Sequence, residues 1–119
     1  MNLSTLVLGA SPNPARYSCL AIRRLRQHGH TVFAIGPRTG VVADVTLTQL
    51  WPATDVDTVT MYIGPARQPE YLERILALRP RRVIFNPGTE NVSFESLLRE
   101  SGIETDRACT LVMLSAGTY

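Results

Sequence analysis

The chain has 119 residues, room for one domain and one core but not for two, and a chain of this length buries roughly two-thirds of its unfolded surface on folding. A hydrophobic share of 45% and a charged share of 18% exclude a disordered or fibrous protein. Twelve basic residues, all arginine, against ten acids leave a net charge of +2, too balanced for a general nucleic-acid binder.

No apolar stretch approaches the roughly 20 residues that span a bilayer. Strand-like sequence begins almost at Met1, without the basic flank and apolar run of a secretory signal. Cys19 and Cys109 have neither metal-site nor disulfide-framework spacing and read as buried packing residues in a reducing compartment. The expectation is a cytoplasmic protein that meets no membrane and no nucleic acid, with a protein partner or a second copy left open. The Arg24/Arg26 and Arg79/Arg81/Arg82 clusters read as helix ends and solvated faces.

Hydrophobic periodicity then divides the chain. Leu3 to Leu8 is a buried strand stopped by Gly9 and the turn-forming SPNP. From about Ala15 to Gln27, Tyr17, Leu20, Ala21 and Leu25 recur at helical spacing, with Gly29 as the left-handed terminator. Thr31 to Ile35 is a second strand ended by Gly36-Pro37, and Val56 to Ile63 a third ended by Gly64-Pro65. The stretch between them, around Leu47 to Trp51, is weakly marked. Pro69 fits the first turn of a helix whose face is Tyr71, Leu72, Ile75 and Leu76 and which Pro80 stops. Val83 to Phe85 is a fourth strand. Ser93 fits as the cap of a helix carrying Phe94, Leu97 and Leu98 and closed by Gly102, and Ile103 to Asp106 adds a short fifth strand. Four apolar residues in a row leave Thr110 to Leu114 undecided between strand and helix.

Strands alternating with helices of about ten residues imply right-handed crossovers. The fold expected over residues 1–119 is therefore a single α/β domain, a doubly wound, mainly parallel sheet of about five strands with helices on both faces.

Ligands of such sheets bind beyond the carboxyl ends of the strands. Here those ends read Gly9-Ala10-Ser11, Gly36-Pro37-Arg38, Ile63-Gly64-Pro65 and Asn86-Pro87-Gly88, each with a glycine that lets a bound group approach the backbone. The free amides of the first helix, with Ser11, Arg16 and Ser18, suit a diphosphate. The dinucleotide fingerprint G-x-G-x-x-G is missing after Gly9, and the second strand ends on Arg38 where NAD proteins carry an acid, which favours a ligand with an extra ribose phosphate. That property is common to NADP and coenzyme A. His28 and His30 lie at the opposite end of the second strand and read as surface or helix-end residues, and neither Ser11 nor Ser18 has a base to make it a nucleophile.

Together the segments GASPNPARYS, GHTVFAIGPR, DTVTMYIGP and RRVIFNPGTEN resemble the small bacterial CoA-binding proteins of Rossmann-like fold, related to the CoA-binding domain of the succinyl-CoA synthetase α-subunit. The resemblance covers nearly the whole chain and implies a coenzyme A site along the strand ends. Carried across residue by residue, it points to Gly9, Ala10, Ser11, Arg16, Tyr17 and Ser18 in the first loop and helix, and to Gly36, Pro37 and Arg38 on the adenosine side. Ile63 at the third strand and Asn86, Pro87 and Gly88 at the fourth complete the set. Many members have asparagine at the position of Gly36 and W-x-Q-x-G in place of FNPGTEN. A late D-R-C of many relatives becomes Asp106-Arg107-Ala108-Cys109, with one residue inserted. The synthetase segment that carries a phosphorylated histidine has no counterpart, so the resemblance implies binding rather than ligation. The expected function is non-catalytic binding of coenzyme A or an acyl-CoA. An NADP-binding accessory or reductase domain and a ligand-free interaction protein are the alternatives.

Overall fold

The computed structural model describes residues 1–119 and contains one seven-stranded sheet. In chain order its elements are β1 (Thr5–Leu8), α1 (Tyr17–Gln27), β2 (Val32–Ile35), β3 (Gly40–Val42), β4 (Val45–Thr48) and β5 (Thr58–Met61). A 3-10 turn (Pro65–Tyr71) then leads into α2 (Leu72–Leu78), followed by β6 (Arg82–Phe85), α3 (Val92–Glu100), β7 (Glu104–Arg107) and α4 (Thr110–Ala116). The strand order is β3-β4-β2-β1-β5-β6-β7, parallel except where β3 turns back on β4. No helix is long and apolar enough to cross a membrane.

The sheet is doubly wound, as its alternating sequence implies, and has two strands more than expected. Both come from the hairpin of β3 and β4, which joins β2 through Ala34 and Leu47. Sequence periodicity misses it because the two strands have three and four residues and the turn between them uses Ala43 at a positive φ of 56°, with no glycine to mark it. The undecided tail is helical: α4 crosses back over the sheet and buries Thr110 and Leu114.

Side chains alternate across each strand, so one core forms on each face. Leu6, Leu8, Val59, Met61, Val83 and Phe85 meet Ile75 of α2 and Phe94 and Leu98 of α3. Val7, Val32, Ala34 and Leu47 meet Cys19, Ile22 and Leu25 of α1 and Leu114 of α4. The inner face of α1 is thus shifted from the expected one, with Cys19 and Ile22 inside and Tyr17 74% exposed. Four further expectations are corrected. Asn91, not Ser93, caps α3 by accepting from the Phe94 amide. Pro69 sits inside the 3-10 turn that precedes α2. His30 is buried, with Nδ1 accepting from the Leu3 amide at 2.9 Å and its ring against Tyr119. Arg82 is buried too, donating to Thr58 and lying 4.5 Å from the Tyr119 ring centroid.

Parallel register positions the site. Leu8, Ile35, Met61 and Phe85 are level partners across β1, β2, β5 and β6. The residues that follow them, Gly9, Gly36, Tyr62 and Asn86, therefore open on one edge of the sheet.

Candidate ligand-binding site

A cleft of about 530 Å³ lies on that edge, within the usual range of small-molecule sites. It sits where the chain leaves β1 for β2 on one side and later returns to β5 on the other, the switch point at which doubly wound sheets take their ligands. Eleven of the thirteen residues expected at a site line it: Gly9, Ala10, Ser11, Arg16, Tyr17, Ser18, Pro37, Arg38, Ile63, Pro87 and Gly88.

The first loop is built for close approach. Gly9 has a φ of +93°, and a Cβ there would stand 2.9 Å from both Ile63 Cγ1 and the Tyr62 carbonyl carbon, so only glycine fits between the two strand ends. The Gly9 and Ala10 amides are both tied to the Ile35 carbonyl at 2.9 Å, which fixes the loop to β2. Asn13 closes the next turn, accepting from the Ala15 amide at 2.9 Å. What remains is a set of donors without acceptors. The amides of Ser11, Tyr17 and Ser18 bond to nothing in the protein, Pro12 and Pro14 have none to offer, and α1 starts without a side-chain cap or an acid in its first turn. Such groups present partial positive charge to an anion.

Charge reinforces them. Arg16, Arg38 and Arg67 line the cleft and no aspartate or glutamate does. Arg16 and Arg38 form no ion pair, and Arg67 has only an exposed contact to Glu70 at 3.4 Å.

Two expected residues lie behind the cleft wall rather than in it. Gly36 packs on the Ala10 carbonyl. Asn86 is buried, donating to Thr60 Oγ1 at 2.7 Å and the Met61 carbonyl at 2.9 Å and accepting from the Thr110 amide at 2.9 Å. Both shape the site from beneath. Among the cysteines, Cys19 is packed in the core as expected, whereas Cys109 is half-buried at the start of α4.

Asn13, Tyr62, Arg67 and Thr89 line the cleft without having been singled out as site residues, and Gly64, noted in the sequence only as the glycine of a strand end, lines it as well. Tyr62 was hidden because the third strand was expected to run on to Ile63; β5 ends at Met61, level with Leu8, which makes Tyr62 the first residue of the loop. Burial pushes its phenol up to about 12, against a weaker opposite pull from Thr60 and Thr110, yet neither hydroxyl reaches hydrogen-bonding geometry with it. Gln68, fully buried, donates to the carbonyls of Ile63 at 2.9 Å and Thr89 at 2.7 Å and so ties the β5 and β6 loops together. No group of histidines, cysteines and acids suited to a metal ion is present.

A Rossmann-like sheet whose switch-point cleft offers free amides and unpaired arginines defines a class of phosphate-bearing nucleotide binders. Within it, residues 4–115 match the model of the CoA binding domain, and the chain belongs to that family. A crystal structure of an uncharacterized protein is 49% identical to it with a TM-score of 0.95, the match covering 100% of this chain and 99% of the other. A Thermus thermophilus structure is 25% identical over 98% of this chain and 91% of its own, with a TM-score of 0.85. A hypothetical protein from Pyrococcus horikoshii shares the fold at 22% identity, covering 94% of this chain and 82% of that one, with a TM-score of 0.81. No curated protein sequence matches the chain.

Proposed function

We propose that the cleft binds coenzyme A or an acyl-CoA and performs no chemistry on it. The observation that carries this reading is the coincidence of three acceptor-less amides, at Ser11, Tyr17 and Ser18, with a wall that holds three arginines and no acid. The diphosphate lies over the start of α1, where each charge gains about 0.3–1 kcal/mol from the helix terminus and up to roughly 2 when sheltered. Arg16 supplies the neutralising charge. The ribose 3′-phosphate falls to Arg38, and Pro37 gives the adenosine an apolar wall. The pantetheine arm crosses the ends of β5 and β6 over Ile63, Pro87 and Gly88, where added Cβ atoms at Gly64 and Gly88 would meet nothing within 4 Å.

Binding without catalysis is supported by the composition of the wall. No histidine or carboxylate lines it, so the hydroxyls of Ser11 and Ser18 have no base to activate them.

The test is calorimetry and thermal unfolding with coenzyme A, acetyl-CoA, dephospho-CoA, NAD and NADP. Coenzyme A at 100 times its Kd stabilises by about 2.7 kcal/mol, and NAD leaves the midpoint unchanged. Preferential binding of NADP selects the dinucleotide alternative, and no binding by any of the five selects a role in protein interaction.

A further inference from the structure

Parallel strands are normally covered on both faces, and here one half of one face is bare. On the side of α1 the core reaches the hairpin, whose Val42, Val45 and Leu47 are buried in it. On the opposite side α2 and α3 pack over β1, β5 and β6, and neither β3 nor β4 contributes a residue to that core. Phe33, Thr46 and Val41, level neighbours across β2, β4 and β3 on this side, are left half-buried, exposed and 65% exposed in turn.

An uncharged stretch borders the bare half. Residues 45–54 include no acid and no base, and Leu50 among them is 81% exposed. Trp51 packs against the core of that side and is held in place by stacking on Tyr71, 6.3 Å between centroids, with the Arg74 guanidinium 5.8 Å from its ring centroid. Trp51, Pro52, Ala77 and Leu78 line a groove of about 390 Å³, and Arg74 and Asp55 stand on its walls. A fixed aromatic and aliphatic centre without charges, edged by an arginine, has the composition of a protein interface.

The two charges specify what covers it. Arg74 and Asp55 are exposed, neither makes an ion pair within the chain, and no hydrogen bond reaches the Asp55 carboxylate or the Arg74 guanidinium. A purely acidic or purely basic partner would answer one of them and oppose the other. A second copy answers both, because a twofold axis through the groove sets Arg74 against the partner's Asp55 and Asp55 against the partner's Arg74. The other exposed apolar patch, Tyr17 and Leu20 of α1 with Val112 of α4, lacks this property: Arg23 and Arg24, also free of ion pairs, follow Leu20 on α1 and would face their like across a twofold axis.

We propose that the protein is a symmetric dimer joined through the bare half-face, with Phe33, Val41, Leu50 and Trp51 at the centre of the interface and reciprocal pairs of Arg74 and Asp55 at its rim. The inference does not depend on what the cleft binds.

Sedimentation equilibrium without ligand tests it. The natural protein has twice the 13.1 kDa mass of one chain, with a dissociation constant of about 1 µM or below. Leu50→Arg, which places a charge at the centre, gives the mass of one chain, whereas Val112→Arg on the outer face of α4 leaves the dimer intact. Arg74→Asp and Asp55→Arg each set like charges against one another and weaken the dimer by roughly tenfold or more. The double variant Arg74→Asp/Asp55→Arg restores opposite signs and recovers the dimer to within about threefold of the natural affinity. All of these side chains are exposed, and the recovery in the double variant separates a lost interface from a lost fold.

A natural protein with the mass of one chain at concentrations up to about 1 mM overturns the proposal, and the face then serves a different protein. Loss of the dimer in Val112→Arg but not in Leu50→Arg overturns it in favour of the α1 and α4 patch. A dimer that both single reversals leave unchanged, or that the double variant does not recover, overturns it as well.

Discussion

Gly36 and Ala10 touch backbone to backbone: a Cβ on Gly36 would lie 2.0 Å from the Ala10 carbonyl oxygen. Nothing soft is available to yield, because Ala10 is itself held by its amide to Ile35. Gly36→Ala therefore costs about 1–3 kcal/mol in a urea melt and shifts the loop that carries the free Ser11 amide, so ligand affinity falls as well. Gly64→Ala behaves oppositely. Its Cβ meets nothing, and its φ of −63° suits any residue, so stability holds or rises by about 0.4–1 kcal/mol. A loss of coenzyme A affinity in that variant reports direct contact between ligand and backbone.

Arg38→Ala tests the ribose phosphate. A charge-assisted hydrogen bond contributes about 1.5–3 kcal/mol when sheltered, and Arg38 lies exposed in the free protein, so coenzyme A binding weakens by roughly tenfold. Dephospho-CoA lacks the phosphate and loses less than about twofold. Calorimetry on two proteins and two ligands isolates the coupling. Equal losses for both ligands transfer the phosphate to another arginine.

Asn86→Ala is a stability variant. It removes two donors and one acceptor from a sealed network of Thr60, the Met61 carbonyl and the Thr110 amide, at a cost of about 3 kcal/mol and roughly 10 °C in Tm. Asn86→Asp fails too, since a carboxylate cannot donate to the Met61 carbonyl. A Tm within about 2 °C of the natural protein in either variant contradicts this account.

Acid weakens the fold in two stages. Burial, helped by His28, the N-terminus and Arg82, lowers the His30 pKa below its ordinary 6.5. The unfolded chain therefore takes up the proton first, and stability falls as the pH drops below about 6.5. At Glu95 burial raises the pKa, but bonds from Arg107 and the Asn91 amide outweigh it and bring the carboxyl below 4.5. Its contribution is present above that value and disappears as the pH falls through the lowered one. Urea midpoints measured from pH 7 to 3 show both limbs, and His30→Gln flattens only the upper one.

The edge of the sheet was legible in the sequence because β-branched runs ending in glycine announce parallel strands, and Gly9, Gly36, Gly64 and Gly88 mark where each one stops. The meaning of each glycine was not legible. Gly36 reads like a ligand contact, yet its space is taken by Ala10; a contact between residues 26 positions apart leaves no local trace. The register of β5 on β1, which makes Tyr62 a wall residue, depends on pairing that spacing alone does not specify. Arg67 was obscured for a related reason: its segment reads as the approach to a helix and turns out to be a 3-10 turn over the cleft. His30 and Arg82, polar residues with a solvated look in sequence, are buried because Leu3, Thr58 and Tyr119 come together around them from distant segments.

Helix α4 rests on an unusual surface. Below it the sheet presents Thr60 and Asn86, and the tail that follows is held by Thr5 and Arg82 around Tyr119, with Leu114 as the one apolar anchor of the helix in the core. The Tyr62 hydroxyl and Arg82 Nη2 stay without partners in the same seam. Water entering there would replace bonds at little loss, whereas entry beneath α3 would wet Phe94 and Leu98. The last helix is thus the natural first unit to open, and in deuterium its amides exchange well before those of β1 and β5 while the rest of the sheet stays protected.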